Sequence, residues 1–194
     1  MNLTRRALSA ALITTMLALP ATASAQEKIK LRFSSPATEA DLRAKGVQEV
    51  FAPAVAGFAD YQPSYNATLF KQGTEIVAQS RGNLEMALTS AQELAKIIPE
   101  WNIFTSGYLM RDADHQRKVF DGSEIGTEMY GLVEAKLNVK LLCVMYFGKR
   151  HLNLRMPKSE RAVMKPADMA GVKLRMPGTD AWQFLGKAPG ASPT

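Results

Sequence analysis

Short strand-like runs alternate with helical runs along most of this chain, and that alternation limits the fold more than any other feature. In Ile29–Ser34, Ile29, Leu31 and Phe33 face one side and Lys30 and Arg32 the other, a period of two. Val47, Val50, Phe51, Ala54, Val55 and Phe58 then recur at helical spacing, which predicts a helix over residues 39–58 with Pro53 as a kink or break. Residues 64–70 read as a second strand, 74–80 as a short helix closed by Gly82, and 84–89 as a third strand. Helices follow over 91–97, stopped by Pro99, and over 112–120, with an apolar segment at 103–109 between them. Asp121, three residues before Glu124, is a helix-start signal for 124–137, whose stripe is Ile125, Met129, Leu132, Val133 and Leu137. That helix feeds residues 140–147, where seven successive apolar residues read as a buried strand. Strands alternating with helices predict an α/β architecture, a largely parallel sheet and right-handed crossovers.

After Phe147 the texture changes. Gly148-Lys149-Arg150-His151 is a polar break, 152–156 a short strand candidate, and Pro166 to Gly171 a single helical turn. Val172, Leu174 and Met176 alternate with Lys173 and Arg175 in a further strand, ended by Pro177-Gly178. Thr179 then caps a helix that carries Trp182, Phe184 and Leu185.

The first 25 residues stand apart. Arg5 and Arg6 open a basic start, residues 7–19 are mostly apolar, and Ala23-Ser24-Ala25 supplies the small-x-small pattern of a secretory leader cleaved after Ala25. The apolar run is too short to span a bilayer core of about 30 Å. Removing the leader lowers the formal charge from +6 to +4, because it takes two arginines and no acid. The remaining excess forms no run of five or more basic residues, so no nucleic-acid partner is expected. Cys143 is the only cysteine, so no internal disulfide can form. Its place in the apolar run predicts a small buried hydrophobe.

Catalytic patterns are missing. His115 and His151 have no ligand partners at metal spacing, so neither a metal nor another cofactor is expected. No nucleophile elbow, phosphate loop or dinucleotide fingerprint occurs. Asp112 and Asp114 read as helix-start charge. The chemistry that is present suits anions. Arg175 follows a strand at its carboxyl end, where open α/β sheets place ligands. Its guanidinium offers a planar fork of donors that matches a carboxylate. Arg150 stands where the chain leaves the apolar run, also at a cleft edge.

The stretch Lys165-Pro166-Ala167-Asp168-Met169-Ala170-Gly171-Val172-Lys173-Leu174-Arg175-Met176-Pro177 resembles the signature of TRAP transporter substrate-binding proteins of the dicarboxylate-binding, DctP-type family. Gly190-Ala191-Ser192-Pro193-Thr194 is similar to that family's G-A-x-P-T-P motif without its last Pro. Gly148-Lys149-Arg150 resembles its G-x-R, Gly82-Asn83-Leu84-Glu85-Met86 its turn into a strand, and Ile98-Pro99-Glu100 its P-E step. One departure is a longer loop around residues 156–160. The resemblance runs from about Ile29 to Thr194. It implies a two-lobed, type II-like periplasmic binding protein that closes on an organic anion and then docks on a membrane permease pair. It also implies roles: Arg175 as the main carboxylate clamp, Arg150 as a supporting cation, and Ser90 as a polar contact from the first lobe.

Two other readings share some of these features. An ABC-type amino-acid-binding protein would have the leader and the α/β lobes, but not the stretch that ends in Arg175. A small exported hydrolase would need a nucleophile–base pair. With the resemblance, the expected organisation is a leader over 1–25, a first lobe over 26–147 and the start of a second over 148–194. The second lobe is expected to be incomplete, and a purified chain of these residues to be unstable or partly molten.

Overall fold

The computed structural model describes residues 27–157, 159–176 and 178–194. The leader, its cleavage point after Ala25, and Pro177 lie outside the described residues.

The first strand, β1 (Ile29–Ser34), sits between β2 (Ala59–Ser64) and β3 (Met86–Ala87) in a parallel sheet of order β2-β1-β3. Burial rises along β1 rather than alternating. Ile29 is exposed, whereas Phe33 and Ser34 are both buried. The carboxyl end of a central strand is covered on both faces, which overrides the one-sided pattern.

The helix expected over 39–58 forms as α1 (Leu42–Gly46), a π-helical turn (Val47–Phe51) and α2 (Ala52–Val55). Pro53 acts through this turn. It lacks a donor and crowds the preceding carbonyls, and the ladder widens so that Ala52 donates to Val47 O. Asp41 caps α1 by accepting from Arg43 N at 2.9 Å.

The second strand lies earlier than its sequence suggests, at 59–64 instead of 64–70. Pro63 reads as a breaker, yet it pairs in register with Phe33 because β2 is an edge strand and one of its sides needs no donors. Residues 66 and 67 have positive φ angles of 56° and 55°, which excludes them from a strand.

Helices α3 (Glu75–Ser80), α4 (Ala91–Ala95), α5 (Ala113–Phe120) and α6 (Glu124–Leu137) form where periodicity places them. A 3-10 helix, Pro99–Thr105, follows α4. Asp112 caps α5 through His115 N at 2.7 Å, as its helix-start reading requires. The cap of α6 is Ser123 rather than Asp121: Gly126 N donates to Ser123 Oγ at 3.0 Å. Asp121 instead ends α5. Ile76, Leu94, Ile98, Trp101, Phe120, Met129, Val133 and Leu137 close into one core among these helices. Trp101 stacks on Phe120, and Phe120 on Tyr130.

The run 140–147 is the largest departure from expectation. It forms no strand among the described residues, and Leu142, Met145, Tyr146 and Phe147 are exposed. Cys143 is exposed too, so it is not the buried hydrophobe the run predicted. Apolar composition proposes a strand, but only a ladder partner makes one. Here the run touches the core through Leu141 and Val144 alone. Residues 152–156 likewise form no strand.

A 3-10 turn, Pro166–Met169, leads to β4 (Lys173–Leu174), which pairs in parallel with β5 (Ser192–Pro193) across α7 (Asp180–Lys187). Alternation around β4 is as expected, with Val172 buried and Lys173 and Arg175 exposed. Met169, Val172 and Ala191 form a small second core beneath this pair. No helix of the described residues is long and apolar enough to cross a membrane.

Candidate ligand-binding site

Both parallel sheets direct attention to their carboxyl ends, where ligands sit in α/β proteins. At the end of β1, Ser34 and Ser35 are fully buried. Ser35 Oγ accepts from Ala37 N at 3.1 Å, while Ser34 Oγ has no hydrogen-bond partner among the described residues. Beyond β3, Ser90 occupies the N-cap position of α4 in extended conformation. Its carbonyl accepts from Glu93 N and Leu94 N at 3.0 and 3.1 Å, but its hydroxyl does not cap the helix. Ser90 is half-buried at the strand end, and its hydroxyl makes no hydrogen bond among the described residues.

Arg150 lies with its guanidinium 4.2 Å from the centre of the Trp182 ring. The ring replaces hydrating water with a π face, which attracts the cation. Desolvation holds the Arg150 pKa below its ordinary value, and the positive charge of Arg43 acts in the same direction. Arginine still stays protonated near neutral pH. No hydrogen bond or ion pair to Arg150 occurs among the described residues.

Trp182 reaches Arg150 because the motif around Arg175 builds the platform for it. Strand β4 ends, buried Thr179 caps α7 by accepting from Trp182 N at 3.4 Å, and the indole sits in the first turn. Arg175 stands exposed just after β4, with no hydrogen bond or ion pair among the described residues. It is a cation held on a strand end with its donors unspent.

The structure thus brings Arg150 to the helix that follows Arg175. It does not join Ser90, Arg150 and Arg175 to one another by any hydrogen bond or ion pair among the described residues. Sequence reasoning missed two neighbours of these residues: Trp182 was visible only as a helical aromatic, and Arg43 was not singled out at all. Arg43 lies 3.8 Å from the centre of the Phe147 ring. Asp41 grips it, with Nε to Oδ1 at 2.9 Å and Nη2 to Oδ2 at 2.8 Å.

Two open cavities lie elsewhere. One, of about 370 Å³, separates Asn102, Thr105 and Ser106 from Asp180, Ala181, Phe184 and Leu185 of α7. The Asp180 carboxylate in its wall disfavours an anion. The other, of about 330 Å³, is bounded by Leu152, Leu154, Met156, Arg161, Val163 and Met164. Arg161 there is committed to the carbonyls of Asp168 and Ala170, both at 2.8 Å. Neither cavity is lined by Ser90, Arg150 or Arg175.

Residues 34–194 match the family described as bacterial extracellular solute-binding protein, family 7. The chain belongs to this family. A solute-binding protein of Verminephrobacter eiseniae is 32% identical over 160 residues, which are 80% of this chain and 45% of that one. A TRAP periplasmic solute-binding protein of Roseobacter denitrificans, solved with bound 3-deoxy-D-manno-oct-2-ulosonic acid, is 56% identical. It superposes with a TM-score of 0.84 over 87% of this chain and 55% of that one. A TRAP periplasmic solute-binding protein of Xanthobacter autotrophicus, solved with β-D-galacturonate, shares the fold at 23% identity and a TM-score of 0.72, covering 84% of this chain and 54% of that one. This family 7 chain therefore has the α/β fold of periplasmic binding proteins, with parallel sheets. It spans about half the length of the relatives it matches. The sequence motif that ends in Arg175 lies inside the matched region, as do Arg150 and Ser90.

Proposed function

We propose that this chain captures a sugar acid in the periplasm for a TRAP-type transporter and hands it to the membrane permease subunits. The process is binding and release, with no bond chemistry. The observation that carries this reading is the 56% identity to the Roseobacter denitrificans protein whose structure holds 3-deoxy-D-manno-oct-2-ulosonic acid. That ligand is a keto-deoxy sugar acid, with one carboxylate and several hydroxyls. A carboxylate suits the unspent guanidinium of Arg175, which makes Arg175 the main clamp. Arg150, stacked on Trp182, is the supporting cation. Ser90, with its uncommitted hydroxyl, contacts the ligand from the other side. In this reading residues 26–147 form a first lobe, 148–194 begin a second, and the leader is removed after Ala25.

Thermal-shift measurement across a ligand panel tests the function. The panel holds 3-deoxy-D-manno-oct-2-ulosonic acid, galacturonate, a C4-dicarboxylate, an amino acid and a neutral hexose. A ligand that binds only the folded state raises the melting temperature as its concentration exceeds Kd. The expected result is stabilisation by the sugar acids and none by the neutral hexose. Stabilisation by the amino acid alone, or by nothing in the panel, would overturn the proposal.

A further inference from the structure

We propose that Arg43 is a further anion-binding residue of this site, beside Arg175 and Arg150, and that Asp41 is its positioning residue. The inference rests on the reading of the protein as a sugar-acid receptor. It begins from a meeting of distant residues. Arg43, at the start of α1, lies over Phe147, and Arg150, three residues beyond Phe147, lies over Trp182. Segment 147–150 therefore gathers two guanidiniums and two aromatic faces from three separate parts of the chain.

The charges at this meeting do not cancel. Asp41 commits both carboxylate oxygens to Arg43. The Arg43–Asp41 pair is largely covered, at 27% and 14% side-chain exposure, so water screens it only in part. Arg150 has no carboxylate partner among the described residues. The three groups together carry one net positive charge; Arg150 is itself exposed, and the Arg43 and Arg150 guanidiniums carry like charges that disfavour one another. Such an arrangement relaxes when an anion sits between the cations.

The hydrogen-bond geometry leaves Arg43 able to do this. Asp41 uses Nε and one Nη2 proton, so both Nη1 protons remain for a ligand. Asp41 also caps α1 through Arg43 N at 2.9 Å, which fixes the backbone from which the guanidinium projects. The fork is thus held in one orientation before a ligand arrives, which lowers the ordering cost of binding. A keto-deoxy sugar acid has more acceptors than one arginine can satisfy: two carboxylate oxygens and the oxygen on the adjacent carbon.

Isothermal titration calorimetry of the full chain with 3-deoxy-D-manno-oct-2-ulosonic acid tests the assignment, with ligand-free melting of each variant alongside. Arg43→Gln removes one charge-assisted contact and should weaken binding roughly ten- to a hundredfold. Asp41→Asn keeps an acceptor for the helix cap but loses the two-point grip on the guanidinium, so it should weaken binding by a smaller factor than Arg43→Gln. Arg43→Gln should also flatten the salt dependence of binding, because one cation facing the anion is gone. If Arg43 merely pinned α1 to Phe147, Arg43→Gln would lower the ligand-free melting temperature and leave the salt dependence unchanged, and that result overturns the inference, as does Asp41→Asn binding at or above wild-type affinity. Wild-type binding with Arg43→Gln at full affinity also overturns it, and leaves the receptor reading intact. A wild type that binds no sugar acid overturns the receptor reading itself.

Discussion

Arg175→Ala separates a binding role from a structural one, because the structure assigns the side chain almost no part in folding. Strand β4 is held by backbone bonds: Ser192 N to Val172 O at 2.8 Å, Thr194 N to Leu174 O at 2.9 Å, and Met176 N to Thr194 O at 3.1 Å. None involves the guanidinium, and Arg175 is exposed without an ion pair among the described residues. Its loss should change unfolding free energy by no more than about 0.5 kcal/mol, the usual range for a surface substitution. Binding is different. When the site closes over a carboxylate, removing the arginine leaves a buried charge unpaired, at about 3–5 kcal/mol. With about 1.4 kcal/mol per decade, Kd should rise by roughly two to three and a half decades. Arg175→Lys keeps the charge but loses the planar fork, so its affinity should fall between the two. The assay is calorimetric titration with 3-deoxy-D-manno-oct-2-ulosonic acid, paired with urea unfolding in the absence of ligand. Affinity within about threefold of wild type in Arg175→Ala would refute the clamp. A stability loss above about 2 kcal/mol would refute the claim that the side chain is structurally idle.

Two predictions concern the scaffold. Helix α6 contains a matched pair of glycines. At Gly126 a Cβ would overlap the Phe120 carbonyl oxygen, with Phe120 C and Cα at 2.9 Å, whereas at Gly131 nothing lies within 4 Å. Gly126→Ala should cost about 1–3 kcal/mol and Gly131→Ala should gain about 0.5–1 kcal/mol. Urea unfolding that ranks them the other way would contradict the close α5–α6 approach. Glu75 supplies a pH prediction. It is 2% exposed; Oε2 accepts from Gly73 N at 2.6 Å and Oε1 has no partner among the described residues. Burial raises its pKa above the ordinary value of 4.5, with the nearby Glu93 acting in the same direction. The folded state then holds the proton more tightly than the unfolded state. Stability falls as pH rises from about 4.5 through the raised value, and the full penalty is present above it. Glu75→Gln keeps the acceptor and removes the charge. It should melt above wild type at pH 7 to 8, with the gap closing near pH 4. A variant that melts below wild type at pH 7 would contradict this.

What the sequence reveals depends on how local the cause is. Strand β1 and helices α5, α6 and α7 are legible because period is local; α5 and α7 start at Asp112 and Thr179 as expected, whereas α6 is capped by Ser123 rather than Asp121. Strand β2 escaped because Pro63 signals a break, and only the sheet order reveals that it lies on an edge. Residues 140–147 misled for the opposite reason. Their composition is that of a buried strand, but burial is a property of neighbours, and the run leaves Cys143 and Phe147 exposed. Strand β5 is two residues long, too short for any period to register. At the site, Arg175 was marked by its motif and its strand end. The stacking of Arg150 on Trp182 and of Arg43 on Phe147 joins residues 32 and 104 apart, separations at which sequence carries no repeat.

A crystal structure of the protein with 3-deoxy-D-manno-oct-2-ulosonic acid decides whether Arg175 is the carboxylate clamp. The expected result is a ligand carboxylate about 2.7–2.9 Å from the Arg175 guanidinium nitrogens, with Arg150 still on Trp182 beside it. A ligand whose carboxylate meets neither Arg175 nor Arg150 would contradict it.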